Sequence, residues 1–166
     1  MVYPAGHLLS MGAIDAILTR RSIRKYTADT IPEAVVLETI KVAMAAPSAG
    51  NESPWHLIMI KERTILAEIP KFQPYSAMVK EAPVAILICG GLSEEKHKGF
   101  WVQDCAAATK NLLIAARDKE LGAVWRESIP GRIGSSLIEY TWMDGDTQPL
   151  FRGAHGMGRF CRVQFG

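Results

Sequence analysis

The sequence predicts a layered α+β domain of α/β character, and three observations carry that expectation. Residues 83–91 (PVAILICGG) form a continuous apolar run bounded by proline and glycines, the pattern of a central strand covered on both faces. Residues 100–119 place Trp101, Cys105, Ala108, Leu112 and Ala115 at helical spacing. Leu113, Ile114 and Ala116 widen that stripe until the helix is apolar nearly all round, as in a core helix. Before and between these segments helical patterns alternate with short strands, as they do in layered domains. The chain of 166 residues has no internal repeat and no low-complexity linker, so one domain is expected over residues 13–166, with residues 1–12 as an N-terminal extension.

Taken in order, residues 13–20 put Ile14, Ile17 and Leu18 on one helical face. Thr30-Ile31-Pro32-Glu33 has the spacing of a capping box with proline in the first turn. The helix behind it aligns Val36, Leu37, Ile40, Ala43 and Met44 and stops before Pro47. Residues 48–54 read as a polar loop and residues 56–61 (HLIMIK) as a strand. A short helix over 64–69 leads into a loop over 70–80. Gly122 suits the C-terminal cap of the long helix, and residues 123–125 begin another short strand. Farther on, residues 133–140 read as a helix and 149–154 as a strand.

Composition narrows the classes of function. A formal net charge of +2 is too small to argue for a nucleic-acid partner or an anionic membrane, so a basic cluster has meaning only locally. No run reaches the roughly 18 apolar residues that a membrane span needs, and no cationic, apolar leader opens the sequence, which gives a cytoplasmic expectation. Cys89, Cys105 and Cys161 form no CxxC pair, and the first two lie in apolar runs as buried thiols of a reducing compartment. The four histidines show no metal-binding spacing, so no metal is expected. There is no GxGxxG motif after a first strand, no Walker loop and no GxSxG elbow.

Three constellations can carry chemistry. Arg20, Arg21, Ser22 and Arg24 place three guanidinium groups and a hydroxyl at the exit of the first helix. Arginine's forked donors match phosphate oxygens. The same segment also reads as a solvated basic helix end favoured by the helix dipole. Residues 47–55 (PSAGNESPW) combine small side chains, which let a backbone approach a flat ligand, with hydroxyls and an amide that can meet ring heteroatoms. They also read as an ordinary connection rich in turn formers. Gln103, Asp104 and Asn111 are polar groups in the long helix, assigned a structural role because buried polar atoms need partners.

Taken together and in order, RRSIRKYT (residues 20–27), AAPSAGNESPWHLI (45–58), APVAILICGG (82–91) and WVQDCAAATKNLLIAARDKELGAVW (101–125) resemble the FMN-dependent nitroreductase family over most of residues 13–125. That resemblance implies a three-layer sandwich in which a mixed sheet is flanked by helices. It also implies a homodimer with the flavin at the subunit interface. Arg20, Arg21, Ser22 and Arg24 would hold the phosphate, the ribityl chain and one ring edge. Pro47, Ser48, Ala49 and Asn51 would line the isoalloxazine, Ser48 and Asn51 facing the dimer-related site. The backbone at Val124 and Trp125 would approach the flavin, where the family usually has a Trp-x-Gly stretch.

The sequence departs from the family pattern over 126–166, where residues 126–132 (RESIPGR) replace a glycine and an aromatic before the proline. Arg152 and His155 stand where apolar residues are usual, and Arg159 and Arg162 are candidate substitutes for the basic tail that closes over the phosphate. The implied activity is hydride transfer from NADH or NADPH through bound FMN to a nitroaromatic, a quinone or a similar small-molecule acceptor. The chemistry resides on the flavin, so no side chain is required as acid or base, and Arg24 and Asn51 tune the ring. The alternatives are a non-catalytic FMN-binding protein of the same fold and a specialised member that fragments flavin or removes halide.

Overall fold

A computed structural model describes residues 12–27, 29–91, 93 and 95–126, together with the two-residue strand Cys161–Arg162. The elements run α1 (Ala13–Thr19), α2 (Glu33–Met44), β1 (Trp55–Ile60), α3 (Arg63–Phe72), β2 (Ala85–Gly90), α4 (Trp101–Asp118) and β3 (Cys161–Arg162), with short 3-10 turns at Ala49–Asn51 and Pro74–Lys80. The expectations for residues 1–11, for the helix over 133–140, for the strand over 149–154, and for Arg152, His155 and Arg159 lie outside the described residues.

β1 organises the protein. Trp55, Leu57 and Met59 point to one side and pack with Val36, Ile40 and Ala43 of α2 and Ala108 of α4. Ile58 and Ile60 point to the other side and pack with Ile65 and Leu66 of α3. The alternation follows from the two-residue period of a strand, and it makes three layers: α2 and α4, the sheet, then α3. β2 and β3 flank β1, both antiparallel to it, with Leu57 opposite Ile88 and Ile58 opposite Arg162. The apolar run expected to form a strand does form one, β2. Among the described residues it pairs with β1 alone, and its first four residues are half-buried. An apolar run reports that both faces are covered but says nothing of how many strands lie alongside.

The caps differ from the sequence expectation in two places, each for a backbone reason. α2 begins at Glu33 with Pro32 as its N-cap and no side-chain cap hydrogen bond, so Thr30 does not close a capping box. A cap at Thr30 would have required helical geometry at Ile31, which the following proline disfavours. At the end of α4, Glu120 rather than Gly122 takes the left-handed conformation, with φ 57°. The Glu120 N–H donates to Arg117 O at 3.0 Å and the Leu121 N–H to Ala116 O at 2.8 Å, the paired bonds of a Schellman ending.

α3 runs past the expected 64–69 and carries Pro70 in its last turn. Residues 74–80, expected as loop, coil into the 3-10 turn because Gln73 caps it: its side chain accepts from the Tyr75 N–H. α1 shows the largest reversal. Its buried residue is Ala16, whose small side chain allows close packing on α4, whereas Ile14 is 68% and Leu18 66% exposed. The apolar face read from the sequence exists, but the described residues leave it uncovered.

Candidate functional site

The chain leaves α1 in an extended conformation at Arg20, which carries the next residues alongside the segment after α4. Ser22 and Ala123 form a parallel bridge, and the Ile23 N–H donates to Ala123 O at 3.0 Å. Gly122 makes that approach possible, because a Cβ there would lie 2.9 Å from Ile23 Cγ2. This is the short pairing expected near residues 123–125, and it sets the arginine segment beside the backbone of Val124 and Trp125.

Arg20 and Arg21 line a cleft of about 350 Å³ together with Arg117 from the last turn of α4. Arg21 folds back on its own helix, donating from Nη1 to Leu18 O at 2.9 Å and to Arg20 O at 3.0 Å. That contact realises the helix-end reading for Arg21, while the cleft still concentrates three guanidinium groups. Arg24 Nη1 donates to Ser22 O at 3.4 Å, a long contact that leaves the side chain exposed. Arg162 is not among the described residues lining this cleft; its backbone pairs opposite Ile58 of β1.

The second candidate segment is built differently. Ser48 Oγ accepts from the Ser53 N–H at 2.8 Å, and Gly50, Asn51 and Ser53 all have positive φ. Asparagine and glycine tolerate that conformation, so the tight loop follows from its residue types. Two acids anchor it, one from α4 and one from the loop itself. Asp104, 6% exposed, accepts the Ala49 N–H at 3.1 Å. Glu52 accepts the N–H groups of Lys96 and His97 at 2.9 and 3.0 Å, tying the loop to the segment that enters α4. Gly50 is closed over by His97, whose Cδ2 would lie 2.6 Å from a Cβ at that position.

Asp104 thus plays the supporting role that its burial in a helix suggested. Glu52 and Arg117 were not singled out from the sequence, where each reads as an ordinary charged surface residue. Asn111, the third polar group of the helix, donates to Val42 O at 3.3 Å and ties α4 to α2. We expect Asp104→Ala to destabilise the protein by about 1–3 kcal/mol, since it removes a charge-assisted acceptor from a part-buried amide. Asp104→Asn, which keeps an acceptor oxygen, should cost less. Chemical denaturation of the two variants checks the order.

The structure does not bring the two candidate segments together within one protomer. The loop attaches to α4 at Asp104 and the arginine cleft at Arg117, thirteen residues along the same helix. At 1.5 Å per residue these anchor points are about 20 Å apart along the axis.

The thiols stand apart from both segments in chemistry. Cys89 is buried, and burial pushes the Cys105 thiol up to about 12, with the nearby Cys89, Asp104 and Glu95 acting in the same direction. Cys105 therefore stays protonated at neutral pH and makes a poor nucleophile. Among the described residues no group of three or more His, Cys, Asp or Glu is placed to hold a metal ion, and no helix is long and apolar enough to cross a membrane.

Comparison with known proteins gives a consistent result. The model of the nitroreductase family matches residues 17–75. A protein of Methanothermobacter thermautotrophicus, provisionally named NADH dehydrogenase/NAD(P)H nitroreductase, is 48% identical over 129 residues, which are 78% of this chain and 68% of that relative. A crystal structure of a provisionally named NADH oxidase from Clostridium acetobutylicum superimposes with a TM-score of 0.68 at 37% identity, covering 70% of each chain. A provisionally named nitroreductase of Desulfovibrio desulfuricans, solved in complex with FMN, superimposes with a TM-score of 0.64 at 30% identity, covering 69% of this chain and 67% of that one.

Proposed function

We propose, from the premise that this chain belongs to the nitroreductase family, that it is an FMN-dependent oxidoreductase passing hydride equivalents from NADH or NADPH to a nitroaromatic, quinone or similar acceptor. The observation that carries the reading is the cleft where Arg20 and Arg21 converge beside the paired Ser22 and Ala123. Its cationic lining fits a phosphate monoester, and the extended backbone beside it offers peptide groups to a flat ring. When bound, the flavin supplies a reversible two-electron carrier. Arg20 and Arg21 then neutralise the phosphate, Ser22 and Arg24 orient the chain between phosphate and ring, and the backbone at Val124 and Trp125 meets one ring edge.

Two copies of the chain complete the site in this reading. The loop with Pro47, Ser48, Ala49 and Asn51 anchors about 20 Å from the arginine cleft, so it serves the cleft of a second protomer. The exposed apolar face of α1 favours a homodimer on the same grounds, because no described residue covers Ile14 and Leu18 and a second protomer would. Within the loop the roles divide by which groups are already engaged. The Ala49 N–H is bound to Asp104, so Ala49 offers its methyl surface, while the Ser48 hydroxyl proton and the exposed Asn51 side chain remain to meet the ring. Small, soluble reductants and acceptors suit a cytoplasmic enzyme.

The experiment begins with the colour of the purified protein. The parent should carry FMN and bleach on anaerobic addition of NADH or NADPH. Arg20→Ala should bind FMN about ten- to a hundredfold more weakly, the equivalent of one charge-assisted contact. Equal flavin occupancy in parent and variant would remove the phosphate assignment, and colour that persists under reductant would leave a binding protein instead of an enzyme.

A further inference from the structure

We propose that Arg117 is a third phosphate-recognising residue of the cleft, acting with Arg20 and Arg21 on the terminal phosphate of the flavin. The proposal rests on the FMN reading and adds to it a residue from the last turn of α4. Arg117 Nε donates to Thr19 Oγ1 at 3.0 Å, and Thr19 Oγ1 donates in turn to Asp15 O at 2.6 Å. This relay fixes the plane of the guanidinium through Nε alone. Its two terminal nitrogens make no hydrogen bond to any described residue, so a forked donor pair is left available at the cleft.

The neighbours favour an anion there. Leu113 and Ile23 supply apolar walls that strengthen charge interactions, and Glu120 is the one carboxylate among the lining residues, set against three arginines. Arg21 has already committed Nη1 to the end of α1, so Arg117 brings a donor pair that Arg21 cannot fully supply. The competing role for Arg117 is neutralisation of the α4 C-terminus. That role predicts a change in the protein's own stability but none in its discrimination between phosphorylated and unphosphorylated flavin.

The test compares FMN with riboflavin, which lacks the phosphate, by titration against the full-length flavin-free protein. Arg117→Ala should weaken FMN about ten- to a hundredfold while riboflavin affinity holds. Arg117→Lys keeps the charge without the fork and should fall between parent and alanine variant; it also serves as the readout if the alanine variant does not fold. Equal losses for both flavins, or no loss for either, would overturn the assignment of Arg117 and leave the FMN reading intact. A parent that binds FMN no better than riboflavin would overturn both.

Discussion

A heterodimer of two disabled protomers is expected to recover half of the parental flavin. The first protomer carries Arg20→Ala with Arg21→Ala and keeps the loop intact. The second carries Gly50→Val and keeps the arginines. Gly50 sits at φ 56° with no room for a Cβ beside His97, so a β-branched residue there deforms the loop without touching the buried core. Each homodimer has two defective sites and should purify nearly colourless. In the mixed dimer of the proposed reading one site collects both defects and the other collects none, so a tandem-tagged preparation should hold about one FMN per dimer against two expected for the parent. The physical basis is the separation of about 20 Å along α4 between the two anchor points. If both segments served a flavin within one chain, every site in the mixed dimer would still bear one defect, and no colour would return. Flavin released by heat and measured against protein concentration decides between the two.

Ile40→Ala is expected to cost about 2–5 kcal/mol of stability. Ile40 is fully buried in the cluster where α2 meets Trp55 and Leu57 of β1 and Ala108 of α4. Truncation there removes apolar contact and leaves a void that three packed layers cannot close without moving one another. Against a typical total of about 5–15 kcal/mol that is a large fraction, and it corresponds to a fall in melting temperature of roughly 4 to 20 °C. Ile14→Ala makes the informative contrast. The side chain has the same size but is exposed in the protomer, so intramolecular packing changes little. A thermal scan in which Ile40→Ala left the melting temperature unchanged would contradict the assignment of Ile40 to the core.

What the sequence made legible depended on whether the signal was local. The stripe of α2, the long helix α4 and the apolar strands rest on periodicity, and their positions hold to within a few residues. Thr30 was misread because the capping-box spacing competes with the constraint that Pro32 places on Ile31. The neighbours of β2 were not legible because lateral order in a sheet is a long-range property that no run of isoleucine and leucine encodes; the described residues show β1 beside it. The α1 face was legible as apolar, but its amphipathic pattern could not show that the buried residue within one chain is Ala16. In the candidate site, Arg20 and Arg21 were readable because three arginines cluster within five positions. Arg117 was invisible for the opposite reason: it reaches the same cleft from nearly a hundred residues away and looks, in sequence, like a basic residue ending a helix. Glu52 reads as a turn carboxylate until its two backbone donors at residues 96 and 97 are seen.

The Schellman ending of α4 has a consequence for any anion that enters the cleft. A helix terminus of this polarity normally presents carbonyl lone pairs, which repel negative charge. Here the amides of Glu120 and Leu121 occupy Arg117 O and Ala116 O, and at the neighbouring α1 terminus Arg21 Nη1 occupies Leu18 O. Two helices therefore end at one place with their outward acceptors partly quenched, which turns a location of unfavourable sign into one where oxyanions can be tolerated.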